Sequence, residues 1–426
     1  DDQLEIIYKG TEEVIPLQDL RHKLESSIKN NKPLVVKLGC DPSRPDLHIG
    51  HSVVLQKLRD FQDLGHQAIL VIGDFTAMIG DPTGQNTTRP PLTKEEVALN
   101  AQSYIDQAKK ILDTNRLQIV NNLDWLGPMS FMDVIHLSSK MTVARMIERD
   151  DFSNRFSNNE PISLHEFLYP LAQGQDSVHL ENDIELGGTD QKFNLLVGRN
   201  LQKERGLNPQ VCLMMPLLVG TDGTAKMSKS YDNYIGINEH PNDMYGKALS
   251  IPDNLIYTYV ELTTDIPNED LPAVKLKIEV DPRNAKHDLA YTLVKMYHGK
   301  EAAEGARHHF ETTVIQKMVP DDAPEFKLKD GQEYRILDII SALKFSPSNG
   351  EAKRLIKQGG VSLDDVKIMD VNYSFIAEEG SEQVLKVGKR KFETLKLHND
   401  MISKSVAQYV SGGILRFEAR GKKKGD

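Results

Sequence analysis

Leu34-Val35-Val36-Lys37-Leu38, running into Gly39-Cys40 and the turn at Asp41-Pro42, decides the fold class together with the residues that follow it. An apolar run of this length, closed by Gly and Pro, reads as a buried strand. From His51 to Leu64, Val54, Leu58 and Phe61 recur at i, i+4 and i+7, one face of a helix, and Gly65 stands where such a helix ends. Gln67 to Ile72 is a second apolar strand, ending in Gly73-Asp74-Phe75-Thr76. Strand, helix and strand in this order predict a parallel α/β sheet. His48-Ile49-Gly50-His51 falls at the strand-to-helix junction, where free helix N–H groups favour phosphate. Gly50 removes a side chain there, which would let a nucleotide pack close to the backbone.

Further along, Thr93 and Glu96 have the spacing of a capping box. Ser163 to Gln175 reads as a helix interrupted only by Pro170, which would align Tyr169, Gln173 and Asp176 at i, i+4 and i+7. Such a stripe suits a small polar ligand, or an exposed polar face. Asp183-Ile184-Glu185-Leu186 runs into Gly187-Gly188-Thr189-Asp190-Gln191, a second junction at which a ligand could sit. Val211 to Val219 reads as a strand, and Asp222-Gly223 as a tight turn before Lys226-Met227-Ser228-Lys229-Ser230. Helical periodicity fills 253–317, and a Pro/Asp/Lys/Gly-rich stretch predicts a linker over 321–335.

The 426 residues can bury a large core and divide into two or three domains. With 39% hydrophobic and 27% charged residues the composition is that of an ordinary globular protein. No apolar run approaches the roughly 20 residues of a membrane span, and Asp1-Asp2-Gln3 opens no signal-peptide pattern, so a cytoplasmic protein is expected. The two cysteines, Cys40 and Cys212, form no CxxC pair, which excludes a disulfide framework and a thiolate zinc site. His48 and His51 have no further ligand cluster beside them in sequence, so no metal site is expected. There is no GxxxxGK[ST] and no GxG, which removes the usual support for P-loop and dinucleotide-binding readings. The net charge of −10 is uneven. Residues 331–426 carry 17 Lys+Arg and 13 Asp+Glu, a balance of +4, against −14 for the rest. This fits an appended anion-binding module on an acidic body, or simply a solvated basic face.

The motifs at His48–His51 and Lys226–Ser230, in this order and about 175 residues apart, resemble the paired ATP motifs of class I aminoacyl-tRNA synthetases. With Gly39-Cys40-Asp41-Pro42, Ile79-Gly80-Asp81-Pro82, Gly187–Gln191 and the Tyr169/Gln173/Asp176 stripe, residues 33–237 resemble the catalytic domain of the bacterial tyrosyl-tRNA synthetase family, in the branch whose lysine loop reads KMSKS. The last third resembles an S4-type RNA-binding domain. It carries Ser348-Asn349 before the basic helix 351–358, then Gly359-Gly360-Val361-Ser362-Leu363.

The resemblance implies a Rossmann-like catalytic domain (1–237), a helical domain (238–320), the linker, an S4-like α+β domain (336–397) and an extension (398–426). It implies ATP, with Mg²⁺, and L-tyrosine as substrates, tRNA(Tyr) as partner, and a homodimer with its contact around Thr142 to Phe156. His48, Gly50, His51, Asp190, Lys226, Met227, Ser228, Lys229 and Ser230 would handle ATP. His48 and His51 would hold the α-phosphate, and Lys226 and Lys229, on a small mobile loop, the β- and γ-phosphates. Lys37, Gly39, Asp41, Asp81, Tyr169, Gln173, Asp176 and Gln191 would bind tyrosine, with Asp176 accepting from the phenol O–H. Lys353, Arg354, Lys357, Lys389, Arg390 and Lys391 would meet RNA phosphates.

Two positions depart from the better-known branch. Lys37 replaces a tyrosine and would pair with Asp41 or Asp74, or donate to the phenol oxygen. Gln85 replaces a phosphate-binding lysine, while Arg89 matches. A tryptophan-activating relative shares the two ATP motifs, and an RNA-binding protein derived from a synthetase would share the S4 module. The Tyr169/Gln173/Asp176 stripe argues against the first, and the four intact His and Lys residues against the second.

Overall fold

The computed structural model describes residues 2–43, 46–82, 92–318, 325–326, 328, 331–363, 366–376, 384–387, 391–395 and 415–416. The chain divides into two compact units, Asp1–Arg307 and His308–Asp426. The expected mixed α/β architecture is present.

The first unit is built on six strands: β1 (Glu13–Ile15), β2 (Val35–Cys40), β3 (Gln67–Ile72), β4 (Leu117–Asn121), β5 (Ile184–Gly188) and β6 (Val211–Met215). Their order is β1-β6-β5-β2-β3-β4, all parallel except β1 against β6. The central strands are almost wholly buried, as apolar strands covered by helices on both faces must be. From β2 the chain winds outward through β3 to β4, and from β5 the other way to β6. The sheet therefore has its topological switch between β2 and β5, and a crevice opens outside their carboxyl ends. The strand expected over 211–219 stops at Met215, because Pro216 has no N–H to give to the ladder.

Helix α1 (Ile49–Asp63) follows β2 and starts two residues earlier than its apolar period suggests. Gly65 takes φ +92° just beyond its end. Helix α2 (Lys94–Ala108) has the expected capping box, in which Thr93 Oγ1 accepts from Glu96 N at 3.2 Å and Glu96 Oε2 from Thr93 N at 2.9 Å. Helix α3 (Leu168–Leu180) follows a 3₁₀ turn, Leu164–Phe167. Pro170 lies in its first turn, where the missing N–H has no intrahelical partner to lose, so the helix runs on unbroken. Helix α4 (Lys192–Glu204) packs on it closely: a Cβ at Gly174 would stand 2.7 Å from Leu201 Cδ1. The helices Pro241–Ser250, Ile256–Thr263, Leu271–Val280 and Pro282–His298, expected as part of a domain of their own, lie in this same unit. Among the described residues no helix is long and apolar enough to cross a membrane.

The second unit packs two helices, Ile336–Ala342 and Asn349–Lys357, on a small sheet. Val384–Val387 pairs antiparallel with Val361–Leu363 and Lys391–Leu395. Its core holds Ile336, Ile340, Ala352, Ile356, Val361 and Leu385, all fully buried. Part of the expected linker over 321–335 is ordered into this unit. Glu325–Phe326 pairs parallel with Lys391–Leu395, Glu333–Arg335 pairs with Ser374–Ile376, and Leu328 joins the core. Ile356→Ala should cost about 2–5 kcal/mol in urea denaturation. A loss below about 1 kcal/mol would mean the site is not packed as described.

Candidate active site

The residues after the lysine loop are tied to the start of α1. His48 and Gly236 form an antiparallel bridge; Ile49 N donates to Ile235 O at 2.9 Å and Ile237 N to Leu47 O at 3.0 Å. Two motifs distant in sequence thereby share one corner. A Cβ at Gly50 would stand 2.8 Å from His48 Nδ1 and 3.5 Å from Met227 Cβ. The glycine is needed by the imidazole, in addition to any ligand, whereas Met227 would be in ordinary contact.

The two histidines cap the helix they begin. His48 Nδ1 accepts from Gly50 N at 3.1 Å, and His51 Nδ1 accepts from His48 N at 3.1 Å. Each ring therefore carries its hydrogen on Nε2 when neutral. Burial first, then the neighbouring His51 ring and the Lys229 ammonium, bring His48 down to about 2; burial first, then Lys229, bring His51 to about 4. At pH 7 the pair, with ring centroids 3.8 Å apart, offers two neutral N–H donors rather than cations.

In the lysine loop, Lys226 faces Asp190 at 3.7 Å and Lys229 faces Asp46 at 3.0 Å. Ser228 caps the 3₁₀ turn Lys229–Tyr231, its Oγ accepting from Ser230 N. The sequence marks the loop as small and mobile, yet its root is pinned by Asn233, which the sequence reading missed. Asn233 Oδ1 accepts from Ser228 N at 2.8 Å, and its Nδ2 donates to Lys226 O and Asp222 Oδ2, both at 3.1 Å.

Gly39, Asp41, His51, Asp81, Tyr169, Gln173, Asp176, Asp190 and Gln191 line one cavity of about 330 Å³ at the switch point. A chain of hydrogen bonds runs along it. Tyr169 Oη donates to Asp41 Oδ2 at 2.7 Å, Thr76 Oγ1 to Asp41 Oδ1 at 2.6 Å, and Asn122 Nδ2 to Thr76 Oγ1 at 3.1 Å and Asp176 Oδ2 at 3.3 Å. Trp125 Nε1 donates to Asp176 Oδ1 at 2.9 Å, and Gln191 Nε2 to Asp81 Oδ2 at 3.0 Å. Thr76, Asn122 and Trp125 were not singled out in sequence. Asn122 and Thr76 follow the carboxyl ends of β4 and β3, and that position in the topology was their one available signal. A larger cavity of about 790 Å³ lies elsewhere in the unit. Two of its lysines are engaged by backbone, Lys9 on Ile266 O and Lys57 on Ile6 O and Ile7 O.

Lys37 does not belong to the lining. It pairs with neither Asp41 nor Asp74, and sits behind the cavity with Nζ 2.9 Å from Glu185 Oε1 and 2.8 Å from Ser177 Oγ. A lysine this deep can stay charged only against an equally buried carboxylate, and Glu185, its register partner on β5, is the one it faces. Gln85, Arg89, Lys389 and Arg390 lie outside the described residues, and Lys391 begins a described strand. Lys353, Arg354 and Lys357 are exposed on the helix whose other face buries Ala352 and Ile356.

Burial raises Asp41 to about 7, against hydrogen bonds from Thr76 and Tyr169 and with repulsion from Asp81 and Asp176. Asp176 is raised to about 7, again by burial, with Lys37 opposing. Both carboxyls are raised from 3.8, so their ionisation costs folding stability as pH climbs through about 7, and a bound cation would offset that cost. Cys40 and Cys212 are pushed up to about 12 by burial, so neither is a thiolate nucleophile.

A parallel sheet with a neutral imidazole pair at a helix start, a lysine loop beside it and an acidic crevice defines a nucleotide-activating enzyme of the class I synthetase type. Residues 29–314 match the family described as tRNA synthetases class I (W and Y), and residues 314–395 match the tyrosine–tRNA ligase SYY-like C-terminal domain. The chain is 54% identical to the tyrosine–tRNA ligase of Salinibacter ruber over 93% of its own length and 97% of the relative's. It is 56% identical to that of Chlorobium chlorochromatii over 92% and 97%. The fold is also that of a C-terminally truncated Aspergillus nidulans mitochondrial tyrosyl-tRNA synthetase, with TM-score 0.61 and 22% identity over 73% of this chain and 93% of that one. The chain belongs to the tyrosine–tRNA ligase family.

An amino acid's ammonium seated against Asp41 requires that carboxyl ionised. Tyrosine affinity should thus fall about tenfold per pH unit below about 7, with proton release on binding near neutrality. Calorimetric titrations in buffers of different ionisation enthalpy measure both. Affinity flat between pH 5.5 and 7.5 would contradict the placement.

Proposed function

We propose that tyrosine and ATP react in the switch-point cavity, and that the second unit helps to bring tRNA(Tyr) to it. The observation that carries this reading is that an acidic cavity is lined by His51, whose ring lies against that of His48, and by Asp190, which faces Lys226 of the lysine loop. The tyrosine carboxylate oxygen attacks the α-phosphate, the P–O bond to pyrophosphate breaks, and charge builds on phosphate oxygens. Neutral, preorganised N–H donors at His48 and His51 stabilise that charge without giving up a proton. Lys226 and Lys229 exchange Asp190 and Asp46 for the β- and γ-phosphates. Asp41, Asp81, Tyr169, Gln173 and Gln191 surround the amino-acid end, and Asp176 accepts from the phenol. The adenylate then passes tyrosine to the 3′-terminal adenosine of tRNA(Tyr).

Among the described residues no cluster of three metal-ligating side chains exists. Mg²⁺ accordingly enters this reading as the counter-ion of ATP, and no step is assigned to it. Homodimerisation is supported by large apolar side chains left in solvent around the expected contact: Phe131 81% exposed, Val143 61%, Phe156 62% and Leu164 83%. A cytoplasmic location fits the same reading.

His51→Ala should lower tyrosine-dependent pyrophosphate exchange by roughly 10²–10³, with tyrosine affinity little changed. Normal exchange with lost tyrosine affinity would move His51 into the amino-acid pocket. Asp176→Ala should cut the preference for tyrosine over phenylalanine by about 10², because a buried phenol O–H is left unpaired. Unaltered rejection of phenylalanine would assign recognition to another group. Replacing Lys353, Arg354 and Lys357 together by Gln should leave exchange intact and flatten the salt dependence of tRNA binding. An unchanged salt slope would remove this helix from the RNA contact.

A further inference from the structure

Lys37 and Glu185 are the register partners of β2 and β5, the two strands between which the ligand crevice opens. Their side chains are 0% and 1% exposed. Neither lines the cavity, yet together they touch the floor of it from behind. Glu185 Oε1 accepts from Gln173 Nε2 at 3.2 Å, and Oε2 from Ser177 Oγ at 3.0 Å and from Gln210 Nε2. Lys37 Nζ donates to Ser177 Oγ at 2.8 Å and to Gln173 O at 3.4 Å. The turn of α3 from Gln173 to Ser177 is therefore gripped by both charges, through main chain and side chain. That turn carries the two residues, Gln173 and Asp176, which α3 contributes to the cavity beyond Tyr169.

We propose that Lys37 and Glu185 form a positioning pair for the amino-acid pocket: without touching the ligand, they fix the Gln173–Ser177 turn and set the charge of Asp176 from behind. The inference rests on the reading of the cavity as tyrosine's. The groups that face Asp176 are Lys37 from β2, Asp41 beyond its end, Glu185 from β5, and Asn122 with Trp125 from the segment after β4. Of these, only Lys37 is a cation. It favours the ionised Asp176 and Glu185 opposes it. A buried ion pair that served packing alone would respond to the loss of either partner in the same way, by loosening. One that sets a neighbour's charge must respond with opposite signs.

The test compares Lys37→Met, Glu185→Gln and the double variant in full-length protein, by pyrophosphate exchange from about pH 5.5 to 8.5, with tyrosine, phenylalanine and ATP varied separately. The acid limb of the tyrosine-to-phenylalanine ratio of kcat/KM, in which the contribution of Asp41 to the shared ammonium cancels, should move up by about one pH unit in Lys37→Met and down in Glu185→Gln. In the double variant it should return near its original place. The double variant should still show a tyrosine KM raised about tenfold with the ATP KM unchanged, because methionine cannot hold the Gln173 carbonyl or Ser177. Limbs that move together or not at all in the single variants would overturn the proposal. Should the single variants not fold, the charge-neutral double variant decides alone, and a parental tyrosine KM in it would overturn the proposal. Asp176→Asn serves as the control. If it leaves tyrosine KM and the rejection of phenylalanine as they were, it is the placement of tyrosine that has failed, whatever the pair does.

Discussion

Two backbone hydrogen bonds between residues 47–49 and 235–237 bring the parts of this candidate site together. The imidazoles and the lysine loop are separated by most of the catalytic sheet in sequence, and each is by itself an incomplete anion site. The bridge at His48 and Gly236 fixes the loop's far end to the first turn of α1, while Val219 and Lys226 pair at its near end. Asn233 then closes the loop's root on itself. The backbone that carries the two lysines is thus held on both sides. Asp190 and Asp46 pair with these two lysines.

Much of this was open to a reading of the chain. The strand Gln67–Ile72 is one uninterrupted apolar run, and Thr93/Glu96 announce a helix start by spacing alone, because the forces involved act within a few residues. The stripe Tyr169, Gln173 and Asp176 was visible for the same reason, once Pro170 is recognised as harmless in a first turn. What escaped depends on which strands become neighbours. Nothing local to Val36-Lys37-Leu38 says that its lone charge will meet the lone charge of Ile184-Glu185-Leu186. Two isolated ions of opposite sign inside two apolar strands are, however, a pairing signal that could have been used. Asn122, Thr76 and Trp125 carry no such mark. They matter because β3 and β4 deliver their following residues to the same edge of the sheet as β2.

The cavity is unusual in its concentration of acid. Asp41, Asp81, Asp176 and Asp190 share a few hundred cubic ångströms, with Glu185 just behind. Left empty, such a group must take up protons or lose stability, and the raised values of Asp41 and Asp176 express that tension. On the proposed reading, an ammonium would relieve it at one end and a hydroxyl donor at the other. A ligand with neither cation nor hydroxyl donor would recover little of that cost.

The histidine capping box has a thermal corollary. The same Nδ1 atoms that accept the first helical N–H groups aim the opposite edges of the rings outward. Helix ends are the first parts of a helix to fray on warming. When the first turn of α1 opens, both rings lose their anchors at once and both donors turn away together. Here the bridge to Gly236 and the buried Ile49 hold that end, so both donors should persist on warming until this corner itself opens, and then be lost together.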